Sequence, residues 1–207
     1  MEMTLSEIIE EVLAALPDQT LPEPDNVSYY VLEKARKIYL DYDVCNAALS
    51  IQRMIMRWNM EDKGIPIEKR KPIWLYILSV GGDLTCMWSL IDTIMASDTP
   101  VKTVNIGIAG SAAGLIFLAG HERYMMKNSQ LVIHEGSAEL SGDAVKVIDA
   151  SENYKKDLKK MKEFIESRTK IPHNVIMKKR SNDWYLDANY SLKNGVCEHI
   201  VEKLSEI

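Results

Sequence analysis

The chain is poor in cysteine, with 3 cysteines among 207 residues. Cys45, Cys86 and Cys197 are odd in number, lie far apart and form no C-x-x-C pair. This pattern offers neither a disulfide framework nor a cysteine-based zinc or redox site. We therefore expect a protein of the reducing cytoplasm that uses no metal and no cofactor.

An excess of positive charge is also missing, since the formal net charge is -5. Neither nucleic acid nor an anionic membrane is therefore expected as a partner. The one local basic run is typical of a solvated helix face, and its lysines are Lys155, Lys156, Lys159, Lys160 and Lys162.

Long hydrophobic runs are absent as well. The most apolar stretch, residues 104–119, contains Asn105 and many small residues, which suits a buried strand, turn and helix better than a membrane-spanning helix. Residues 1–7 are acidic where a secretory signal is basic. The expectation is a protein without a membrane span and without an export signal.

The length of 207 residues, of which 46% are hydrophobic, suits one main domain with an appendage. Apolar residues recur at helical spacing from Leu5 to Leu16, before Pro17. Pro22 and Pro24 then indicate a linker. We expect residues 1–25 to form an N-terminal helical appendage and linker, and residues 26–207 to form the main domain.

Strand-like and helix-like segments alternate through the main domain. Strands are predicted at 37–40, 72–78, 101–106, 124–126 and 130–134, and helices at 44–58, 84–95 and 111–118. This alternation predicts an α/β fold with a mainly parallel sheet and helices on its faces.

A long charged helix is predicted at 143–168, with one apolar stripe spaced by threes and fours. The stripe consists of Val147, Tyr154, Leu158, Met161 and Ile165. Such a helix can project and pack against its equivalent in another copy, or it can lie on its own domain. The sequence favours neither arrangement over the other.

Ser111 is the first candidate for chemistry, because it lies among the smallest residues available, in a run from Gly107 to Gly114. A serine at a strand-to-helix turn can be exposed beside free backbone N–H groups, as a nucleophile requires. The same run also suits plain close packing of two elements. A base is therefore needed to support the catalytic interpretation.

His134 is the candidate base, since it ends an apolar strand-like run, and strand ends of α/β sheets collect catalytic groups. The other histidines, His121, His173 and His199, lie in surface-like contexts. Two carboxylates could orient the imidazole. Asp183 precedes an aromatic pair, Asp187 resembles a helix cap, and the residues alone leave the two tied.

Gly81 and Gly82 follow a buried strand and could bring backbone N–H groups close to a ligand. The N–H groups of Gly82 and Ala112 would then form an oxyanion hole beside Ser111. Taken alone, the glycine pair is better explained by a simple tight turn.

Taken together, these blocks resemble the proteolytic subunit of the Clp protease family, which has the ClpP/crotonase fold, from about residue 37 to residue 204. The blocks that carry the resemblance are 78–82 with its paired glycines, 109–114 followed by 118–120, 127–134 ending in His134, and 183–188 preceding 194–196.

The resemblance implies a ClpP/crotonase-like fold of ββα repeats in which 143–168 is the projecting handle helix. It also implies a serine endopeptidase with Ser111 as nucleophile, His134 as base and Asp183 as the orienting carboxylate, and with an oxyanion hole formed by Gly82 and Ala112. The implied assembly is a homo-oligomer of heptameric rings, stacked as a tetradecamer around a chamber that admits peptides or unfolded proteins. An AAA+ unfoldase is the implied partner.

Several positions depart from the family pattern. Val80 stands where the family has proline, Glu135 and Gly136 follow the histidine in place of Gln-Pro, and residues 1–28 do not resemble the segment where an unfoldase docks. Three alternatives therefore stay open. They are an inactive ring-forming structural or regulatory subunit, a phage-type capsid maturation protease and a crotonase-like acyl-CoA enzyme.

Overall fold

The computed structural model describes Glu7, Glu10, Glu11 and residues 24–136, 141–179 and 182–207. In this part of the chain seven strands form one sheet. The strands are β1 (Lys37–Leu40), β2 (Ile73–Ser79), β3 (Val101–Gly110), β4 (Glu122–Met126), β5 (Gln130–Ile133), β6 (Trp184–Asp187) and β7 (His199–Val201). The helices are α1 (Pro24–Lys34), α2 (Leu49–Glu61), α3 (Leu84–Met95), α4 (Ser111–Ala119), α5 (Ala144–Arg168), α6 (His173–Lys179) and α7 (Ala188–Lys193).

The sheet is mainly parallel, with the order β1-β2-β3-β4-β7. Strand β3 is ten residues long and changes partner along its length. Its first half pairs with β4, and its end pairs with β5, which carries the antiparallel strand β6 on its other side. The predicted α/β fold with a mainly parallel sheet is confirmed.

One face of the sheet is covered by α2, α3 and α4. Helix α4 is buried from Ala112 to Ala119, which explains why its sequence is apolar on every side. The stretch 104–119 is thus a buried strand followed by a buried helix. The predicted strand end at residue 106 was wrong, because β3 continues through the small residues to Gly110.

The opposite face of the sheet carries an aromatic cluster. Tyr39 stacks on Tyr76 with ring centroids 4.9 Å apart, and Trp74 lies 5.2 Å from Tyr124. Burial raises the pKa of Tyr76 to about 12. These rings therefore shield the strands from water on the face that the described helices α2, α3 and α4 leave open.

The long charged helix is present as α5, and Asp143 caps it by accepting a hydrogen bond from the N–H of Lys146 at 3.0 Å. Its C-terminal half packs on the body through Met161 and Ile165. In its first turns Val145 and Ile148 are 67% and 59% exposed. Apolar surface is therefore left uncovered on the N-terminal half of α5 in the single chain.

The region before β1 differs from the expectation. Helix α1 begins at Pro24, in the segment that the sequence indicates as a linker. Most of the predicted helix at 4–16 lies outside the described residues, although Glu7, Glu10 and Glu11 are helical. Glu11 forms an ion pair with Lys34 at 3.0 Å. No helix among the described residues is long and apolar enough to cross a membrane.

Candidate active site

Ser111 stands at a sharp turn between β3 and α4. Its φ is 50°, a left-handed backbone conformation that residues other than glycine rarely adopt, whereas Gly110 before it is extended. Such strain costs about 1–3 kcal/mol and is concentrated at functional sites. The surrounding fold therefore imposes a strained backbone conformation on Ser111.

The glycine pair after β2 packs directly against this turn. A Cβ atom on Gly81 would lie 2.7 Å from the Cβ of Ser111 and 3.1 Å from the backbone nitrogen of Ala112. Both contacts are closer than van der Waals distance, and the φ of Gly81 is 116°. Only glycine fits here, because the backbone of residue 81 lies against the serine.

Val44 holds the glycine turn from its other side. The N–H of Val44 donates to the carbonyl of Gly81 at 2.7 Å, and the N–H of Asp83 donates to the carbonyl of Val44 at 2.7 Å. In extended chain, successive residues direct their N–H groups to opposite sides. The N–H of Gly82 therefore points away from Val44, and it has no hydrogen-bond partner among the described residues.

The N–H of Ala112 lies in the first turn of α4, where backbone N–H groups have no partner within the helix. Ala112 itself is fully buried. The predicted helix at 44–58 starts too early, because Val44 pairs with Gly82 and α2 begins at Leu49. This role of Val44 could not be predicted from local pattern, since its pairing partner Gly82 lies far along the chain.

His134 follows β5 immediately, and Asp183 immediately precedes β6. The two strands are antiparallel with Ile133 opposite Trp184, so the two side chains meet at one end of the pair. The distance from His134 Nδ1 to Asp183 Oδ1 is 3.4 Å, and 34% and 59% of the side chains are exposed. The two side chains are thus close but exposed to solvent, and the distance between Nδ1 and Oδ1 is longer than in a typical direct hydrogen bond.

Asp187 has a different place. It lies at the opposite end of β6, opposite Gln130, and caps α7 by accepting a hydrogen bond from the N–H of Tyr190 at 2.8 Å. Of the two carboxylates that the residues alone left tied, Asp183 is therefore the one beside His134.

A cavity of about 310 Å³ joins the parts of the site. Ser111, His134, Gly81 and Gly82 all line it. The structure thus brings the serine, the imidazole and the glycine turn to one space, with Asp183 in contact with His134.

Tyr154 of α5 also lines this cavity, and sequence reasoning placed it only in the apolar stripe of the helix. Its hydroxyl donates a hydrogen bond to the carbonyl of Glu135 at 2.8 Å. Burial raises the pKa of Tyr154, with Glu135 adding to the effect. A tyrosine in an otherwise aliphatic stripe was the only available signal.

The remaining histidines have partners of their own. His121 Nδ1 accepts a hydrogen bond from the N–H of Val101 at 3.0 Å, and burial lowers the pKa of its imidazole. His173 pairs with Glu166 and His199 with Glu122, each at 2.7 Å. In the described ranges, no group of three or more His, Cys, Asp or Glu side chains could hold a metal ion.

The chain is similar in sequence to known proteins. Residues 27–204 match the model of the family described as Clp protease. Over 139 residues, which are 66% of this chain and 70% of the relative, the chain is 29% identical to the ATP-dependent Clp protease proteolytic subunit 2 of Treponema pallidum (strain Nichols). It is 30% identical, with the same coverage, to the protein of that name from Treponema denticola.

Proposed function

Because the chain belongs to the Clp protease family, whose model matches residues 27–204, we propose that it is a serine endopeptidase using Ser111, His134 and Asp183. The observation that carries this proposal is the single cavity lined by Ser111, His134 and the glycine turn. A nucleophile, a base and unpaired backbone N–H groups at one space are the requirements of acyl transfer.

The reaction begins when Ser111 Oγ attacks the carbonyl carbon of the scissile bond and His134 accepts the hydroxyl proton. The N–H groups of Gly82 and Ala112 stabilise the oxyanion, and Asp183 stabilises the imidazolium. His134 then gives the proton to the leaving amine as the C–N bond breaks. Water, deprotonated by His134, releases the acyl group and regenerates Ser111.

The backbone around the serine favours this step before substrate arrives. The strained turn at Ser111 and the close contact of Gly81 hold the two N–H donors in position before the substrate binds. Little reorganisation of the backbone is then needed when negative charge develops on the substrate oxygen. The N-terminus of α4 adds a partial positive charge beside the oxyanion.

We extend the proposal to the assembly. Residues 26–207 form the peptidase domain, and copies of it assemble into heptameric rings. Helix α5 is the handle through which two rings stack as a tetradecamer around a chamber in the cytoplasm. The exposed Val145 and Ile148 support this role for α5, since apolar side chains in the first turns of a charged helix favour a partner surface. Peptides or unfolded proteins are the substrates, and an AAA+ unfoldase that feeds them in accords with the ATP-dependent proteases named among the relatives.

Fluorophosphonate labelling followed by intact-mass measurement tests the proposed chemistry. One adduct is expected on Ser111, and none in Ser111→Ala or His134→Ala. Ser28→Ala, which removes an exposed serine of α1, is the control and keeps the adduct. In peptide hydrolysis, Ser111→Ala lowers kcat on the order of 10⁶-fold, while peptide binding survives.

A folded wild-type protein without an adduct would reject the peptidase proposal. That outcome would favour the inactive ring-forming subunit or the crotonase-like enzyme. Sedimentation tests the assembly separately, because a monomer at micromolar concentration contradicts a ring.

A further inference from the structure

A second cavity, of about 380 Å³, opens beside the catalytic one. His134, Glu135 and Met161 line both cavities, so the two adjoin at the candidate base. The floor of the second cavity is apolar and is formed by Ile133, Leu158, Met161, Ile165, Ile176 and Trp184. A floor of this kind accepts a large apolar side chain next to the reacting bond.

The rim of this cavity is basic. Lys155, Lys159 and Lys162 line it from α5, and Lys179 lines it from α6. The three lysines of α5 lie four and three residues apart, which places them on one face of the helix. Among the described residues that line the cavity, Glu135 is the one carboxylate.

One of these lysines is partly engaged already. Lys159 forms an ion pair with Glu163 at 3.7 Å, between side chains that are both more than half exposed. Exposed pairs of this type are weak and exchange readily. The rim therefore keeps an excess of positive charge above an apolar floor.

We propose that the basic rim of this cavity selects substrate segments in which Glu or Asp flanks the large apolar residue that the floor accepts. The inference rests on the proposed peptidase function, since the cavity adjoins the reaction only if His134 is the base. The apolar side chain is desolvated on the floor, and its acidic neighbours meet the ammonium groups on the rim. If the lysines served only to keep the surface of α5 hydrated, substrates with Glu or Asp would be cleaved no faster than neutral ones.

Two quenched fluorescent peptides test the selection. Both have one leucine at the cleavage site, and the four flanking positions carry glutamate in one and glutamine in the other. At about 20 mM salt we expect the glutamate peptide to have a kcat/KM about fivefold to tenfold higher, because exposed ion pairs are individually weak. The preference falls towards unity at about 0.5 M salt, where exposed charges are screened.

Two matched double variants distinguish the effect of the rim lysines from that of the general positive charge of the two helices. Lys155→Gln with Lys179→Gln removes two rim lysines, and the preference should fall at least twofold. Lys156→Gln with Lys178→Gln removes their exposed neighbours on the same two helices, which do not line the cavity, and the preference should stay unchanged. Equal loss in both variants would overturn the assignment of the cavity.

Failure of this inference and failure of the proposed function give different results. If fluorophosphonate labels Ser111 but the two peptides are cleaved equally at low salt, the charge selection is wrong and the peptidase stands. If no label is incorporated and neither peptide is cleaved, the proposed function is wrong. Fluorescence anisotropy with Ser111→Ala isolates binding, and equal affinity for the two peptides there would also overturn the selection.

Discussion

The hydroxyl of Tyr154 donates a hydrogen bond to the carbonyl of Glu135 at 2.8 Å, which ties the segment after His134 to the long helix α5. On its other side His134 follows β5, whose last residue Ile133 pairs with Trp184 of β6. The contact with Asp183 is long and exposed. The position of the imidazole therefore depends on the backbone on both sides as well as on the carboxylate.

Tyr154→Phe removes this tie without changing the shape of the side chain. We expect kcat to fall about threefold to tenfold with KM nearly unchanged, because one hydrogen bond contributes about 0.5–1.5 kcal/mol and the loss acts on alignment of His134. Steady-state kinetics and the rate of fluorophosphonate labelling measure the effect. Tyr30→Phe, at a half-exposed tyrosine of α1, is the control. An unchanged kcat would show that Tyr154 contributes only to packing and not to the alignment of His134.

Gly81→Ala places a methyl group 2.7 Å from Ser111 Cβ in a backbone conformation with φ of 116°. The labelling rate should fall by about a hundredfold or more, as expected when an oxyanion donor is displaced. Gly64→Ala is the matched control, since its φ is 89° and nothing lies within 4 Å of the added methyl. That variant bears similar strain and should label normally. Equal labelling of the two variants would contradict the role of the glycine turn.

Asp183→Asn and Asp187→Asn compare the carboxylate that precedes β6 with the one that ends it. We expect Asp183→Asn to lower kcat by at least about a hundredfold, because an orienting carboxylate controls both the tautomer and the imidazolium. Asp187→Asn should retain activity and stability, since asparagine caps helices as well as aspartate. Peptide hydrolysis and thermal unfolding provide the readouts. If Asp187→Asn lowered kcat more than Asp183→Asn, then Asp187 and not Asp183 would be the orienting carboxylate.

Asp62 and Arg36 form a buried ion pair at 2.7 Å, with side chains 5% and 12% exposed. The hydrogen bonds from Arg36 hold the pKa of Asp62 below its usual value. A lowered pKa stabilises the fold above the ordinary aspartate pKa of about 3.9, and this stabilisation is lost as the pH falls through the native pKa.

Asp62→Asn should cost about 1.5–3 kcal/mol at pH 7, because it removes the carboxylate that is hydrogen-bonded to Arg36 and leaves only the longer contact with Glu61 at 3.8 Å. It should also flatten the fall in stability below about pH 4. Urea unfolding at several pH values measures both effects. Asp98→Asn is the control, since Asp98 is largely exposed and lies 4.0 Å from Arg70. Equal acid sensitivity in Asp62→Asn and in the wild type would contradict this origin of the pH dependence.

Local patterns of the sequence were sufficient to predict the α/β fold and to name two residues of the candidate site. Ser111 was a candidate because small residues between apolar runs suit a close turn, and His134 because it ends a buried strand. Asp183 could not be separated from Asp187 by local pattern, since the difference lies in the register between β5 and β6. Val44 and Tyr154 were missed because each acts through a backbone group distant in sequence.

The bridge between Val44 and Gly82 joins two segments that are synthesised at different times. The groups around Ser111 come from segments that leave the ribosome at different times, from Val44 first to Asp183 last. A nascent chain that already contains Ser111 therefore still lacks the partner that orients His134. Under the proposed function, this order keeps an unfinished copy from cutting itself or its neighbours before its own sheet is complete.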